Sequence, residues 1–528
     1  MDAMPHPFLL VILDGFGVSP EMQGNPVAEA KKPVLDGFEQ KYPFTTLQAS
    51  GVAVGLPWGE SGNSEVGHLT MGAGRVIHHH LPRIIHAIRD GSFFENPVLK
   101  EAAAHARAHG GRLHIAGLVS SGSVHSYSDH LMALLEFASR EQISETYVHV
   151  LTDGKDAPPK EGARFLAGLA ARMASEYPKA HLASIVGRFF AMDRDDKWDR
   201  VARAYDLMVL GRGEKIASLS DYLAASYAKG VTDEFVEPAI VSGEGGPAPV
   251  IKQGDALVLF NFREDSMREI TRAFTEDDFD KFPREKLQDL FVVTMTEYEK
   301  GMRGAHAAFP APGVTHPLGA VLASAGLRQL RIAETEKYAH VTYFFNGGDE
   351  KPFVGEDRML VPSLSVAHFD EAPQMRSDEI ATRIIANMDS YDIIIANFAN
   401  ADMIGHSGNF HAAVQAVEAL DTALGRLADA VLEKNGMMVI TADHGNVELK
   451  RSAVSGESMT KHSLNPVPFF VISERFLRKT PRDTAAIAKA KSEIGGILTD
   501  VAPTVLELLG LQKPAEMTGQ SLLPFLKK

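Results

Sequence analysis

Residues 8–17 read Phe-Leu-Leu-Val-Ile-Leu-Asp-Gly-Phe-Gly, so an uninterrupted apolar run ends directly in an aspartate and a glycine. Further apolar runs of similar length lie at residues 113–118, 146–151, 256–260, 290–295, 392–398 and 437–441. Strands that are apolar on both faces are typical of parallel sheets with helices packed on either side. The sequence therefore predicts an α/β protein with mostly parallel sheets.

Longer stretches with a helical pattern separate these runs. In residues 411–432, apolar side chains recur at three- and four-residue steps: Val417, Leu420, Leu424, Leu427 and Val431. That spacing places one apolar stripe along a helix, which packs its stripe against a sheet. The alternation of such helices with apolar strands supports the α/β prediction.

The composition limits the class of protein. The chain has 528 residues, of which 45% are hydrophobic and 23% charged, as expected for a globular protein of two or three domains. A formal net charge of −15 argues against non-specific binding to nucleic acid or to an anionic membrane. With Cys 0, disulfides, thiolate metal sites and cysteine nucleophiles are excluded, and a reducing cytoplasm is the expected location.

No segment predicts insertion into a membrane. A membrane helix needs about 20 apolar residues, and no run in the chain reaches that length. The run at residues 8–13 is also too short for the core of a signal peptide and lacks a small-residue cleavage site. We therefore expect neither a membrane nor a nucleic acid as partner.

Two segments have the composition of linkers. Residues 78–83 follow a glycine-rich stretch, and residues 309–317 contain three prolines and a glycine. If both are hinges, residues 83–311 form a domain inserted into one made of residues 1–82 plus 312–528. The histidine triplet at 78–80 lies in the first linker, and we interpret it as solvated or packed at the hinge, because alternate side chains of an extended chain point apart.

Acidic residues stand at the ends of two apolar runs. The first run ends in Asp14, and the run at 437–441 leads to Asp443 and His444. In open α/β sheets, ligands bind beyond the carboxyl ends of the strands, so these side chains fall where a site is expected. For each aspartate taken alone, a helix cap is the alternative interpretation.

Three more residues extend this set of candidate metal ligands. Asp402 and His406 follow the run at 392–398 and are four residues apart, which suits one helical turn, while His462 precedes a proline-rich stretch. Oxygen and imidazole donors without sulfur suit Mn²⁺, Mg²⁺, Co²⁺ or Zn²⁺. The sequence therefore predicts a metal centre, with structural histidines as the alternative.

Ser64 is the candidate nucleophile. It lies in residues 62–68, Gly-Asn-Ser-Glu-Val-Gly-His, where Gly62 permits a tight turn and a helix can begin from Glu65. A helix N-terminus stabilises an alkoxide or a phosphate on the hydroxyl, and coordination to a metal activates a serine. The alternative is that Ser64 only caps the helix.

Candidate anion-binding residues lie in the middle of the chain. Arginine forks suit phosphate and carboxylate groups, which they bind through two hydrogen bonds. The candidates are Arg188, Arg194, Arg263 and Arg268, with Asp153, Asp156 and His125 on loops after predicted strands. Any single arginine can instead be solvated.

The motifs resemble those of the cofactor-independent (2,3-bisphosphoglycerate-independent) phosphoglycerate mutases, a family in the alkaline phosphatase superfamily. The matching stretches follow the family's order over nearly the whole chain. They are residues 10–17, 62–68, 153–156, 187–200, 261–263, 331–341, 402–406, 443–446 and 462–468. This resemblance implies a phosphatase-like metal-binding domain (1–82 plus 312–528) with an inserted α/β transferase domain (83–311).

The resemblance also implies two divalent metal ions and no bound 2,3-bisphosphoglycerate. Mn²⁺ is the expected ion, with Mg²⁺, Co²⁺ or Zn²⁺ as alternatives. The implied ligands are Asp402, His406 and His462 for one ion, and Asp14, Ser64, Asp443 and His444 for the other.

By the same resemblance the chain is an isomerase of glycolysis and gluconeogenesis that interconverts 3-phosphoglycerate and 2-phosphoglycerate. Ser64 would carry the phosphoryl group, Lys337 would stabilise its charge, and Asp156 would act as general base or acid. The implied substrate-binding residues are His125, Asp156, Arg188, Arg194, Arg263 and Lys337. A small-molecule substrate is then the expected partner, and a monomer the expected state.

The chain departs from the family's usual pattern at several positions outside the candidate ligands. Lys155 and Ser266 stand where arginines are usual, residues 120–123 differ in sequence, and Tyr127 replaces a common histidine. Arg268 is the residue that could compensate for Ser266. The alternatives are a metal-dependent phosphomonoesterase, a mutase for another sugar phosphate, and a binding protein that has lost activity.

Overall fold

The computed structural model describes residues 4–242, 249–311, 313–452 and 455–526. The chain divides into two compact units, which we call unit 1 (Met1–His79 with Gly313–Lys528) and unit 2 (His80–Pro312). Position 312, where the second predicted domain boundary falls, lies outside the described residues.

Unit 1 is built on a mixed sheet with the strand order β12-β11-β13-β1-β14-β15-β2-β16. Only the pairings of β15 with β14 and with β2 are antiparallel among the paired strands described in this sheet. The strands are β1 (Phe8–Leu13), β2 (Phe44–Gln48), β11 (Gln329–Glu334), β12 (Glu356–Val361), β13 (Ile393–Phe398), β14 (Met437–Thr441), β15 (Val467–Ile472) and β16 (Ile494–Ile497).

Helices cover this sheet, and several begin at a residue whose side chain accepts a backbone N–H, as Asn409 does from Ala412. The helices are α1 (Pro26–Glu29), α2 (Pro33–Lys41), α3 (Ser64–Ala73), α12 (Leu318–Ser324), α13 (Ser377–Asn387), α14 (Asn400–Ser407), α15 (Phe410–Glu433), α16 (Thr484–Ser492), α17 (Val501–Leu508) and α18 (Leu523–Leu526).

Unit 2 has its own sheet, with the strand order β10-β9-β8-β3-β4-β5-β7-β6. The pairing of β5 with β7 is antiparallel and the other described pairings are parallel. The strands are β3 (Leu113–Leu118), β4 (Thr146–Thr152), β5 (Ala180–Gly187), β6 (Glu214–Ile216), β7 (Ala239–Val241), β8 (Ala256–Leu259), β9 (Phe291–Thr294) and β10 (Ala305–Ala307).

Separate apolar clusters line the two faces of this sheet, so the helices of unit 2 pack on both sides of it. They are α4 (His80–Asp90), α5 (Pro97–Ala108), α6 (Ser128–Arg140), α7 (Gly162–Glu176), α8 (Arg188–Ala191), α9 (Trp198–Leu210), α10 (Leu219–Ala228) and α11 (Arg268–Thr275). No helix among the described ranges is long and apolar enough to cross a membrane.

The predicted α/β class with mostly parallel sheets is confirmed. Every quoted apolar run forms a strand whose ends lie within one residue of the prediction, and α15 covers the predicted helix at 411–432. One prediction was wrong in part: the linker at 78–83 is not extended throughout. Helix α4 begins at His80, whose Nε2 lies 2.8 Å from Oε1 of Glu264, so this histidine belongs to a helix rather than to free chain.

Candidate active site

Four neighbouring strands of unit 1 deliver the charged residues of the site. Strands β11, β13, β1 and β14 lie side by side and run parallel. Asp14 follows β1 directly, Asp443 lies two residues beyond β14, and Asp402 lies in α14 after β13. Lys337 ends the short 3₁₀ turn after β11. The carboxyl ends of these four parallel strands lie at the same edge of the sheet, where ligands bind in such folds.

Ser64 is the first residue of α3, but it is not the cap of that helix. The side chain of Asn63 is the cap, because its Oδ1 accepts the backbone N–H of Val66 at 2.9 Å. The hydroxyl of Ser64 is thereby free to point elsewhere. The alternative in which Ser64 serves only as the cap is therefore wrong.

The hydroxyl oxygen of Ser64 lies among charged groups from three other segments. Oγ is 2.8 Å from Nζ of Lys337, 3.0 Å from Nε2 of His444 and 3.1 Å from Oδ1 of Asp14. Ser64 is buried, so these contacts are screened little by water. The Lys337 ammonium beside Oγ lowers the free energy of a serine alkoxide, and Oδ1 of Asp14 accepts the proton of the hydroxyl.

Asp14, Asp443 and His444 form one compact donor group. One ligand atom of each lies within 4.8 Å of the others. Oδ1 of Asp443 accepts the backbone N–H groups of Gly15 and His444, each at 3.0 Å. Its Oδ2 accepts no well-formed hydrogen bond within the described part of the chain, although the residue is fully buried, and it lies 3.2 Å from Nδ1 of His68. A buried carboxylate oxygen in this state fits a role as metal ligand.

Asp402, His406 and His462 form the second donor group. Oδ1 of Asp402 lies 3.2 Å from Nε2 of both histidines. Nδ1 of His406 donates to the carbonyl of Thr460 at 2.9 Å, and Nδ1 of His462 donates to the carbonyl of Gly62 at 2.8 Å. Because their Nδ1 atoms are used, both rings present Nε2 toward Asp402, as histidine ligands of a metal do.

Lys337 lies between the two donor groups. Its Nζ donates to Oδ1 of Asp14 and to Oδ2 of Asp402, each at 2.6 Å. Burial disfavours its charge, but the carboxylates outweigh burial and raise the pKa of Lys337. Burial likewise opposes ionisation of Asp14, yet the ammonium group outweighs it and holds the pKa of Asp14 well below its usual range. Burial also opposes ionisation of Asp402, but the Lys337 charge outweighs it and lowers the pKa of Asp402, so Lys337, Asp14 and Asp402 are all charged at neutral pH.

His444 lies among carboxylates that favour the protonated form of its imidazole, and a metal ion bound by the ring would displace that proton. Burial lowers the pKa of His444, but the nearby carboxylates of Asp443, Asp402 and Asp14 outweigh it and raise the pKa to about 9. Its ring also stacks on that of His462, with the centroids 3.9 Å apart. The two donor groups are thus in direct contact, and their oxygen and imidazole donors suit a pair of divalent ions.

Sequence reasoning missed two polar residues beside the site: Asn397, which contacts Asp14, and His68, which contacts Asn397 and the backbone of Ser64. Nδ2 of Asn397 donates to Oδ2 of Asp14 at 2.7 Å and lies 3.0 Å from Nε2 of His68. Nδ1 of His68 donates to the carbonyl of Ser64 at 2.8 Å. His68 stands four residues after Ser64 on α3, so a helical i, i+4 reading of the motif at 62–68 was the available signal.

A second polar cluster lies in unit 2, at the carboxyl ends of β4 and β5. Nη1 of Arg188 donates to Oδ1 of Asp153 at 2.7 Å and to Oδ2 of Asp156 at 2.6 Å. Nη2 of Arg188 lies 3.0 Å from Nε2 of His125. Burial and, next, the Arg188 charge lower the pKa of His125 to about 4, so its imidazole is neutral at neutral pH.

Two further arginine candidates, Arg194 and Arg263, meet at one carboxylate. Asp265 contacts Nη1 of Arg194 at 2.6 Å and Nη2 of Arg263 at 3.2 Å. About half of the Arg194 side chain is exposed, so these guanidinium groups remain accessible. Oγ of Ser266 lies 3.2 Å from Nδ1 of His125.

Arg268 and Lys155 stand apart from these contacts. Nε of Arg268 donates to the carbonyl of Tyr298 at 2.8 Å, and the residue is exposed. The side chain of Lys155 is also exposed, while its backbone N–H donates to Asp153. Compensation for Ser266 by Arg268 stays a prediction.

Comparison with curated proteins matches one family over nearly the whole chain. A family model for the N-terminus of BPG-independent PGAM matches residues 84–300. The chain is 48% identical over 522 residues to the 2,3-bisphosphoglycerate-independent phosphoglycerate mutase of Moorella thermoacetica, with 99% of each chain covered. It is 47% identical over 519 residues to that of Clostridium beijerinckii, with 98% of this chain and 99% of the relative covered. Leishmania mexicana phosphoglycerate mutase, solved at low cobalt concentration, is 33% identical over 98% of both chains, with a TM-score of 0.59.

Proposed function

The chain belongs to the 2,3-bisphosphoglycerate-independent phosphoglycerate mutases, isomerases that interconvert phosphoglycerates, and on that premise we propose that Ser64 carries the phosphoryl group between 3-phosphoglycerate and 2-phosphoglycerate. The observation that carries this proposal is the position of the Ser64 hydroxyl, within 3.1 Å of Lys337, His444 and Asp14. In this proposal the hydroxyl is the transient acceptor, so no external phosphate donor is needed.

The chemical step exchanges one phosphoester for another. The Ser64 hydroxyl gives up its proton as its oxygen forms a bond to phosphorus, the bond from phosphorus to the substrate oxygen breaks, and that oxygen takes up a proton as a hydroxyl of glycerate, so no net proton is gained or lost. Reorientation of glycerate then brings its other hydroxyl to phosphoserine, and the reverse exchange releases the isomer. Lys337, beside the Ser64 oxygen, stabilises the negative charge of the phosphoryl group during both exchanges.

We propose two divalent ions, one at Asp402, His406 and His462 and one at Asp14, Ser64, Asp443 and His444. When bound, such ions neutralise charge on phosphoryl oxygens and lower the pKa of a serine hydroxyl. The two compact donor groups support this proposal. The Leishmania mexicana relative was solved at low cobalt concentration, which supports a divalent ion but leaves Mn²⁺ as our expectation for this chain.

We assign the glycerate part of the substrate to the unit 2 cluster. The forked guanidinium of Arg188 suits a carboxylate, and Arg194 and Arg263 offer two accessible cationic groups. Asp156, hydrogen-bonded to Arg188, is the proposed general base and acid for the glycerate hydroxyls. His125 is neutral at neutral pH and hydrogen-bonds the substrate without adding charge.

The proposal is tested by trapping the intermediate. Rapid acid quenching of the Mn²⁺-loaded enzyme with ³²P-labelled 3-phosphoglycerate is expected to leave label on the peptide that contains Ser64. Ser64→Ala is expected to abolish both the label and 2-phosphoglycerate formation. Ser324→Ala, an exposed serine of the same unit, is the matched control and keeps both. Substantial turnover by Ser64→Ala would overturn the phosphoserine proposal.

Measurement of free phosphate separates the mutase from the alternative activities. The mutase is expected to form 2-phosphoglycerate without releasing phosphate. A phosphomonoesterase would release phosphate in proportion to substrate consumed. Cytoplasmic location and a monomeric state stay predictions.

A further inference from the structure

Glu448 is a buried acidic residue outside both donor groups, and only 1% of its surface is exposed. A lone buried carboxylate is costly unless hydrogen bonds replace its hydration. We propose that Glu448 is a positioning residue, whose carboxylate fixes three of the loops that carry the proposed metal ligands. This inference rests on the proposed function, because it assigns Glu448 to the assembly of that metal centre.

The carboxylate of Glu448 accepts hydrogen bonds from three separate segments. Oε2 accepts the backbone N–H of Gly17 at 3.0 Å and that of Asn446 at 2.9 Å. Oε1 accepts from Nδ2 of Asn465 at 2.9 Å and from the hydroxyl of Ser463. Two backbone and two side-chain donors thus converge on one side chain.

Each of these segments carries proposed ligands. Gly17 lies three residues after Asp14, Asn446 lies two residues after His444, and Ser463 follows His462 directly. Because the ligands come from distant parts of the chain, their relative positions depend on contacts between loops. Glu448 supplies a common anchor for all three loops, and hydrogen-bonded supports of this kind tune metal affinity.

The anchor extends to a further ligand segment, that of Asp402, through Asn446. Nδ2 of Asn446 donates to Oδ1 of Asp402 at 2.7 Å, and its Oδ1 accepts from the buried ammonium of Lys450. Nζ of Lys450 also donates to the carbonyl of Gly405 at 3.0 Å. This arrangement orients the Asn446 amide toward Asp402, while Glu448 holds its backbone.

Two glycines of the site motifs are explained by the same carboxylate. A Cβ atom on Gly17 would lie 2.2 Å from Cδ of Glu448. A Cβ atom on Gly445 would lie 2.4 Å from Oγ of Ser463 and 2.6 Å from Oε1 of Glu448. Neither position has room for a larger residue while the Glu448 carboxylate stays in place.

A conservative change separates the role of hydrogen bonding from that of charge. In Glu448→Gln the amide oxygen can still accept from Gly17 and Asn446. The new NH₂ group would face Ser463 and Asn465, whose hydroxyl and side-chain amide can each turn to accept. In Glu448→Ala all four donors lose their acceptor, and two of them are buried backbone N–H groups.

The experiment measures Mn²⁺ binding by titration calorimetry of chelator-treated protein and its unfolding in urea without metal. We expect Glu448→Ala to remain folded but to bind Mn²⁺ about 10- to 100-fold more weakly, and Glu448→Gln to stay close to wild type. Glu433→Ala, which removes an exposed carboxylate of unit 1, is the matched control. Wild-type Mn²⁺ affinity in folded Glu448→Ala would overturn the inference. A wild type that binds no Mn²⁺ would overturn the proposed function with it.

A second variant, Gly17→Ala, retains Glu448 and so gives a test that does not depend on whether Glu448→Ala folds; the double variant is compared where Glu448→Ala is itself folded. Gly17→Ala is expected to weaken Mn²⁺ binding at least tenfold, because its Cβ displaces the carboxylate. In the double variant Gly17→Ala with Glu448→Ala, the second change removes that clash, so the two losses are expected to be far from additive. Unaltered Mn²⁺ binding in Gly17→Ala, or additive losses, would contradict the anchor.

Discussion

Nζ of Lys337 lies 2.6 Å from Oδ1 of Asp14, a carboxylate 323 positions earlier in the chain. The same ammonium lies 2.6 Å from Oδ2 of Asp402, so one buried cation holds together residues delivered by β1, β11 and β13. Because these strands are neighbours in the sheet, the fold itself brings the two carboxylates into range. Removal of the ammonium would leave two buried anions facing each other.

Lys337→Met is therefore expected to lower the free energy of unfolding of the metal-free protein by about 3–5 kcal/mol, the cost of breaking a buried ion pair by removing one partner. Urea denaturation of chelator-treated protein measures this difference. Lys434→Met, which removes a surface ion pair with Asp389, is the control and is expected to cost about 1 kcal/mol or less. Equal losses in the two variants would contradict a central role for Lys337.

The two donor groups are expected to bind metal separately. His462→Ala removes a ligand from the group with Asp402 and His406 and leaves Asp14, Asp443 and His444 intact. After dialysis against Mn²⁺, the bound manganese measured by elemental analysis should fall from about two ions per chain in the wild type to about one in His462→Ala. His411→Ala, an exposed histidine on α15, is the control and should keep both ions. Loss of both ions in His462→Ala would show that the groups do not bind independently.

Chelation is expected to abolish mutase activity, because charge on the phosphoryl group would then lack its counter-ions. Re-addition of single ions should restore the reaction, and we expect Mn²⁺ to restore it most fully. The rate of 2-phosphoglycerate formation after each addition is the measurement. Full activity in metal-depleted protein, with depletion verified by elemental analysis, would refute the proposed metal requirement.

Arg188→Ala is expected to lower kcat/KM about 10- to 100-fold, mainly through KM, since charged hydrogen bonds contribute about 1.5–3 kcal/mol each. Arg188→Lys should recover only part of this loss, because an ammonium lacks the fork that reaches Asp153, Asp156 and His125 together. Arg172→Ala, an exposed arginine of α7, is the control. An unchanged KM in Arg188→Ala would place the glycerate elsewhere.

Strand patterns and strand-end aspartates made much of the site predictable. Asp14 and Asp443 stand at the ends of apolar runs, and β1 and β14 form there with those bounds. The rest of the site could not be predicted, because it is held by contacts between distant segments that produce no periodic pattern in the sequence. Glu448 lies in an irregular loop, and its bond to Gly17 spans 431 positions, so neither spacing nor motif pointed to it. The capping role of Asn63 was decided by backbone geometry rather than residue type, since serine and asparagine are both good caps.

The stability of the protein is expected to fall in acid because of His130, a buried histidine in α6. Neither ring nitrogen has a hydrogen-bond partner among the described residues, and the ring packs against Tyr127 and Phe262. Burial lowers the pKa of His130 from 6.5 to about 3. Between these two pKa values, His130 is protonated in the unfolded chain but neutral in the folded chain. The contribution of the neutral ring to the free energy of unfolding is therefore fully present above pH about 6.5 and is lost as the pH falls toward 3.

Comparison of the wild type with His130→Leu isolates this effect. Between pH about 6 and 4, the wild type is expected to lose up to about 1.4 kcal/mol per pH unit relative to His130→Leu, because the leucine takes up no proton in either state. Urea denaturation of both proteins at several pH values gives the difference. His411→Leu makes the same chemical change at an exposed ring and controls for the substitution itself. Parallel pH profiles for the wild type and His130→Leu would show that the pKa of His130 is the same in the folded and unfolded protein, which would contradict this prediction.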